Sequence, residues 1–303
     1  MLRRLGYVGI SLSIDASTNR TARLRNATPE RLRQLIAENL VGLETILNFN
    51  LRNGIYLFRI SSQIIPFASH PVNTIRWWEE FGDQLARLGE FVRQHDMRVS
   101  MHPAQYAALS AVRPAVLDAA LLDVEWHVRF LDSMGLDRRH KIVLHIGGAY
   151  GNKTAAKKRF IDVTASLPPT WRRRLVLEND ERTYAVDDVL EVSHRTGLPV
   201  VFDYFHHQIN PGNDDDLRTV MRSCFNTWRQ SDGIPKIHYS DQEPGGRPGT
   251  HSDWIDPEGF IAFLRQAPDQ DFDCMLEAKK KDLALFKLRS DLARRSLGEG
   301  QAA

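Results

Sequence analysis

Short, nearly continuous apolar runs alternate along this chain with longer stretches whose apolar residues recur at helical spacing. The short runs fall at Leu5–Ile10, Tyr56–Ser61, Arg98–His102, Lys141–Ile146, Arg174–Glu178, Pro199–Asp203, Lys236–Tyr239 and Asp273–Glu277. Their cores, such as IVLHI, LVLE, VVFD and CMLE, lack the apolar–polar alternation of a half-buried strand. They predict strands covered on both faces, as in a parallel sheet. The longer stretches predict helices. The first opens at Thr28-Pro29-Glu30, with Thr28 as N-cap and Pro29 in the first helical position, and Gly54 closes it. Leu32, Leu35, Ile36, Leu40, Leu43 and Leu47 mark its buried face. Further helices are predicted over Trp77–Gln94, Pro114–Met134, Ala155–Ser166, Val186–Arg195, Asp214–Cys224, Pro257–Gln266 and Leu283–Leu297.

Eight strands and eight helices in strict alternation predict a (β/α)8 barrel, an α/β fold, as one domain over residues 1–303, with a disordered tail from about residue 298. An open doubly wound sheet is the alternative, but it would call for a nucleotide fingerprint. The stretch Gly147-Gly148-Ala149-Tyr150-Gly151-Asn152-Lys153-Thr154 is one residue too short between glycines for a phosphate-binding P-loop. The only long irregular loop is Ser240–Trp254, rich in Gly and Pro, and a loop of that length in a compact domain is usually functional.

Composition narrows the class. Of 303 residues, 42% are hydrophobic and 26% charged, the balance of a globular protein rather than a disordered one. No apolar run approaches the roughly 20 residues of a membrane span. The opening MLRRLGYVGISLSIDAS makes a poor signal peptide, so a cytoplasmic location is expected. Cys224 and Cys274, two isolated thiols, form neither a disulfide framework nor a cysteine-rich zinc site. A net charge of +2 neither demonstrates nucleic-acid binding nor excludes it. The basic clusters Lys157-Lys158-Arg159, Arg172-Arg173-Arg174 and Lys279-Lys280-Lys281 each read, taken alone, as solvated helix faces.

The chemistry lies in what terminates the strands. His102 ends the third, His145 lies near the end of the fourth, Glu178 ends the fifth, Asp203 ends the sixth, His238 lies near the end of the seventh and Glu277 ends the eighth. Barrel active sites assemble at the C-terminal ends of the strands, so three imidazoles and three carboxylates converge on one mouth. Three carboxylates gathered without cations would repel one another at a large desolvation cost. Divalent metals remove that cost, and mixed imidazole and carboxylate ligands suit Mn, Zn or Fe. His70 after the second strand, His206 three residues beyond Asp203, and His251 in the long loop extend the set to nine. At three or four protein ligands per catalytic metal, nine suffice for about three ions. Glu178, central in the strand order, is the candidate bridge. His207 is placed behind the ligands, and His95, His127, His140 and His194 are expected to be surface or packing residues. A cluster of two or three metals suits phosphoester hydrolysis, in which one ion activates water and the others stabilise the attacking and leaving oxygens.

Lys236 lies two residues before His238 and so points to the same side of its strand. Beside a metal cluster it would be repelled unless neutral, in contact with a substrate phosphate, or carbamylated into an anion. Its other reading is a barrel-floor residue in contact with a carboxylate. Gln105 and Tyr106, after His102-Pro103-Ala104, offer hydrogen bonds and stacking to bases, or a packed lid. Tyr7 in the first strand has the same two readings.

These residues resemble the UV damage endonuclease family, metal-dependent DNA repair enzymes related to endonuclease IV and the xylose-isomerase-like barrels. The matching stretches include Leu5-Gly6-Tyr7, Ser17-Thr18-Asn19-Arg20-Thr21, Phe58-Arg59-Ile60-Ser61-Ser62, Ile65-Pro66-Phe67-Ala68-Ser69-His70-Pro71 and Ser100-Met101-His102-Pro103. They continue through Leu144-His145-Ile146-Gly147-Gly148, Leu177-Glu178-Asn179-Asp180-Glu181-Arg182, Asp203 with His206-His207, Lys236-Ile237-His238 and Leu276-Glu277-Ala278-Lys279. The resemblance runs from about residue 2 to 282, and ENDER and FASHP are its specific blocks. It implies a barrel carrying two or three divalent ions, of manganese type, in a groove for damaged double-stranded DNA. It implies a nick directly 5′ to cyclobutane dimers and 6-4 photoproducts, with abasic sites as a further substrate; a monomer is expected. The metal ligands of the family fall on His70, His102, His145, Glu178, Asp203, His206, His238, His251 and Glu277. Its catalytic groups fall on Glu178 and Lys236, the latter carboxylated on its amine, and its lesion-binding residues on Tyr7, Gln105 and Tyr106. Ala104 departs from the glycine common there. Two other functions stay open on residues alone: a sugar isomerase on the same barrel, and a damaged-DNA sensor that keeps metals for structure.

Overall fold

Each apolar run pairs in parallel with its neighbours, and the eighth returns to the first. In the computed structural model, which describes residues 1–103, 107–213 and 216–299, the strands are β1 (Leu2–Gly9), β2 (Leu57–Ile60), β3 (Arg98–Met101), β4 (Lys141–Leu144), β5 (Leu175–Glu178), β6 (Val200–Asp203), β7 (Lys236–Tyr239) and β8 (Phe272–Leu276). They close in sequence order into an eight-stranded barrel. Helix α1 (Pro29–Arg52) follows β1, and α2 (Trp77–Glu80) with α3 (Gly82–Gln94) follows β2. Then come α4 (Pro114–Ser133) after β3, α5 (Lys153–Ser166) and α6 (Pro169–Arg172) after β4, and α7 (Val186–Thr196) after β5. Helices α8 (Tyr204–Ile209) and α9 (Leu217–Phe225) follow β6, α10 (Pro257–Gln266) follows β7, and α11 (Lys281–Glu299) follows β8. The predicted barrel is therefore the fold.

The cap predicted for α1 forms: Thr28 Oγ1 accepts from the Arg31 amide at 3.3 Å, and Pro29 occupies the first helical turn. Two local expectations change. The helix predicted over Trp77–Gln94 is interrupted at Phe81. The last helix runs to Glu299, and residues 300–303 lie outside the described residues. Directly after β6 the chain turns into α8, which strand-end reasoning does not foresee; Asp203 caps it by accepting from the His206 amide at 2.8 Å.

The period-two alternation of the strands sorts side chains between two compartments. One set packs outward under the helices in a large apolar core. The other fills the barrel in tiers. At its waist Val8, Leu57 and Met275 pack together, as do Val143, Val176 and Val201. Two residues further along the same strands stand Arg59, Glu277, His145, Glu178 and Asp203, at the mouth. Two residues before them stand Asp273 and Lys141, at the floor. There Arg98 pairs with Asp273 at 2.9 Å and Lys141 with Asp232 at 2.6 Å. Gly6 holds an inward position because any Cβ there would run into the backbone of Leu57.

The basic clusters are solvated only in part: Lys158 is exposed on α5, where it pairs with Asp162, and Arg173 is exposed, but other members are not. Arg174 is buried and pairs with Asp132, and Lys157 is largely buried between Asp188 and Glu191. Lys279 and Lys280 reach Glu243 and Asp253 at 3.1 and 3.5 Å, tying the end of β8 to the loop after β7. Apart from Asp162, each acidic partner is remote in sequence from its cation or lies in a different element, so the runs looked unpaired. Among the described residues, no helix is long and apolar enough to cross a membrane.

Candidate metal centre

The strand-end groups meet. His102, His145 and Glu178 present ligand atoms within 4.8 Å of one another, and so do Glu178, Asp203, His238 and Glu277. Glu178 is common to both groups. Its Oε2 lies 2.8 Å from His102 Nε2 and 3.3 Å from His145 Nε2, while Oε1 receives His238 Nδ1. His238 Nδ1 also lies 3.1 Å from Glu277 Oε1. His102, His145, Glu178 and Glu277 line a cavity of about 580 Å³ open at the barrel mouth.

Neighbouring groups fix how the ligands are presented. The His102 Nδ1 lies 3.0 Å from the Pro103 carbonyl and the His206 Nδ1 lies 2.9 Å from the Asn179 carbonyl. A carbonyl only accepts, so each Nδ1 carries a proton, and in the neutral ring Nε2 is the lone pair. The His102 lone pair therefore faces a carboxylate oxygen, an arrangement that needs a proton or a cation between them. Asn179, buried completely, donates through Nδ2 to the Asp203 carbonyl and accepts through Oδ1 from the Asp203 amide, each at 2.9 Å. This residue lies in the ENDER block, but strand-end reasoning assigned it no role.

The electrostatics describe a site short of positive charge. Burial would raise Glu178, but His238 and His145 beside it hold it well below the usual carboxylate range. Asp203 has less help: burial pushes it up to about 8, and Glu178 and Glu277 add to the rise against His206. His206 is itself lifted to about 9, because Asp203, Glu178 and Glu277 outweigh its burial. Burial also sets Glu277 upward, yet Arg59, paired with it, brings it low. Asp203 Oδ2, His238 Nε2, His145 Nδ1 and His251 Nδ1 are buried without a hydrogen-bond partner. The unpaired Asp203 oxygen, together with the Glu178 and Glu277 oxygens faced by His102 Nε2, His145 Nε2 and His238 Nδ1, fits divalent cations, which would supply the missing charge between them.

The remaining candidates distribute as follows. His206 and His251 line the cavity, their rings 6.2 Å apart. The loop carrying His251 is a small hairpin in which Gln242 bridges His251, and the Asp241 carboxylate accepts from the Asp256 amide at 2.7 Å. His70 stands apart. It is exposed in a turn, its Nδ1 accepts from the Val72 amide at 3.0 Å, and it lines another cleft with Trp77, Trp78 and Trp126. Tyr7 does not reach the cavity: it points outward beneath α1, where its hydroxyl donates to Asn50 Oδ1 at 2.8 Å, and the inward position beside it belongs to Val8. Gln105 and Tyr106 lie outside the described residues.

Lys236 is buried within the barrel, and its amine has no hydrogen-bond partner. The barrel-floor reading required a carboxylate contact, and no ion pair forms among the described residues. Burial first, then Arg98 and Arg59, bring its pKa down to about 7. Two cationic cavity residues were missed in the sequence: Arg59, and Lys281 at the opening of α11. Lys281 has φ +50°, a left-handed conformation that a side chain with a Cβ rarely adopts. The next residue, Asp282, holds that corner by accepting from Ser11 Oγ and the Leu12 amide, each at 2.7 Å. Backbone strain of this kind collects at functional sites.

Comparison with known proteins agrees with this geometry. A family model described as UV-endonuclease UvdE matches residues 3–298. A UV DNA damage endonuclease of Clostridium perfringens (strain 13 / Type A) is 38% identical over 290 residues, spanning 95% of this chain and 70% of that protein. The crystal structure of SacUVDE superposes with a TM-score of 0.90 at 36% identity, covering 97% of this chain and 99% of the other. An L-ribulose 3-epimerase gives a TM-score of 0.56 at 16% identity over 96% of this chain and 86% of that one, a likeness of fold alone.

Proposed function

The chain belongs to the UV-endonuclease UvdE family, and from that premise we propose that it nicks double-stranded DNA immediately 5′ to cyclobutane dimers and 6-4 photoproducts, with abasic sites as a further substrate. The observation that carries the reading is the sharing of one carboxylate, Glu178, between two groups of ligand atoms. Glu178, Asp203, His238 and Glu277 would hold one divalent cation, and His102 and His145 with Glu178 a second. His206 and His251, with His70 if its turn swings in, would complete a set of two or three ions, proposed to be Mn²⁺. When bound, such ions neutralise charge on a phosphodiester and make water a better nucleophile at neutral pH.

The residues of the chain do the rest. Asn179 sets Asp203 and turns Nε2 of His206 toward the cavity. Arg59 and Lys281 put positive charge on the cavity wall, where a backbone phosphate would lie. Gln105 and Tyr106 are proposed to enter the duplex at the lesion, where a poorly stacked pair is cheaper to open. Tyr7, covered by α1, is left out of that contact. Lys236 is proposed to carry a carboxylate on its amine: the neutral amine takes up carbon dioxide and releases one proton. The product is an anion near Arg98 and Arg59, in place of an unpaired amine.

The test is conversion of UV-irradiated supercoiled plasmid to nicked circles in the presence of Mn²⁺. The wild-type protein nicks it, and Glu178→Gln, with an unchanged unfolding midpoint, loses nicking by at least about 100-fold. Full nicking by the variant contradicts the role of Glu178. Tight binding to the irradiated plasmid without breaks makes the protein a sensor.

A further inference from the structure

We propose that the closed end of the barrel, opposite the candidate metal centre, carries a second site that binds a phosphate dianion. The pocket lies between α6, the C-terminal end of α7 and the segment before β7, with a volume of about 200 Å³. Pockets for drug-sized ligands run to about 300–1,000 Å³, so this one suits a small anion.

Its charge is lopsided. Arg138, Lys141, Arg172, Arg173 and Arg229 line it, and among the described residues Asp232 is the only acidic one that does. That carboxylate is already committed. Its Oδ1 accepts from Lys141 Nζ at 2.6 Å and Arg138 Nη2 at 3.0 Å, and its Oδ2 from the Arg229 amide at 3.2 Å. Among the described residues, Arg172, Arg173 and Arg229 make no ion pair. The Arg172 Nε–H is shielded from solvent and has no acceptor. A buried donor without an acceptor is rare and marks a missing partner. At the helix end beside it, the Ser193 and Val192 carbonyls are taken by the Gly197 amide and Thr196 Oγ1, at 2.7 and 2.8 Å.

Guanidinium groups in excess over carboxylates match a tetrahedral oxyanion, which accepts paired hydrogen bonds from their forked N–H groups. More than one uncompensated cation favours a dianion over a halide. Such a phosphate is either free in solution or part of a nucleic acid. A duplex seated at the mouth cannot reach the opposite end of the same barrel, so the free anion is the favoured source.

Isothermal titration of the full-length, metal-loaded protein with inorganic phosphate tests the proposal, with sodium chloride at matched ionic strength as control. Phosphate should bind saturably, and the double variant Arg172→Gln/Arg229→Gln should weaken it by about ten-fold or more. The same binding event should persist after the metal ions are stripped with a chelator, which separates this site from phosphate held at the metal centre and from failure of the endonuclease reading. Arg173→Gln, an exposed change, should weaken binding in part if the double variant does not fold. Competition by an undamaged duplex would move the assignment to a nucleic-acid phosphate. Equal heats with chloride, or binding unchanged in the arginine variants, would overturn it.

Discussion

The side-chain amide of Asn179 and the main chain of Asp203 satisfy each other reciprocally, N–H to carbonyl in both directions at 2.9 Å. Asp203 thereby keeps one carboxylate oxygen for the cap of α8 and the other for the cluster. Asn179→Ala strands an amide and a carbonyl in a buried site. A loss of about 2–4 kcal/mol in stability is expected. Mn²⁺ affinity should fall about 10–100-fold, the usual effect of losing an outer-shell partner. Calorimetric metal titration and urea unfolding check both, and unchanged metal affinity would remove Asn179 from the positioning of Asp203.

Lys236 should carry carbon dioxide. Protein equilibrated with carbon-13 bicarbonate is expected to show a carbamate resonance that vanishes in Lys236→Gln. The lowered pKa of the amine, about 7, keeps much of it neutral and reactive at physiological pH. Absence of the resonance in wild-type protein loaded with a diamagnetic ion, Mg²⁺ or Zn²⁺, would refute the modification.

Two cavity features meet at Lys281. A glycine there relieves the left-handed backbone, so Lys281→Gly should gain up to about 1 kcal/mol of stability. The same change removes a cation facing the substrate, so KM for nicking should rise several-fold with a smaller change in kcat. An unaltered KM would make Lys281 a structural residue only.

Acid should weaken the fold through His140. This ring is buried, and its Nδ1 accepts from the Val99 amide of β3 at 3.1 Å, a bond that protonation would break. Burial, then Arg98, Arg174 and Arg139 against the pull of Asp137, bring its pKa down to about 3. The unfolded chain binds this proton near 6.5, so the unfolded state takes up more protons between those values. The contribution is full above pH 6.5 and drains away as pH falls toward 3. Between pH 7 and pH 5 it amounts to about 2 kcal/mol. In His140→Asn, where Oδ1 replaces the accepting nitrogen and cannot titrate, the drop in urea midpoint should shrink. An equal drop would assign the acid sensitivity elsewhere.

The barrel was legible because its strands are buried on both faces and read as unbroken apolar runs, and because their last residues break the pattern with His, Glu and Asp. What alternation could not settle was which of two adjacent residues points inward when both are compatible with burial. Tyr7 and Val8 are that case, and the aromatic ring went to the helix side. The turn holding His70 and the short helix α8 depend on contacts set by the closed barrel, not on local periodicity. Ion pairs such as Arg174–Asp132, Lys279–Glu243 and Arg59–Glu277 join residues far apart in the chain. No local window contains both partners, so the cations looked solvated.

The most direct measurement is strand cleavage of a duplex oligonucleotide carrying one defined photodimer, by metal-stripped protein with and without added Mn²⁺. The account predicts one break, at the phosphodiester 5′ to the dimer, only when the ion is restored, and none on the undamaged duplex. Cleavage that persists with a chelator present, or a lesion-bound complex that never breaks the strand in Mn²⁺, would contradict it.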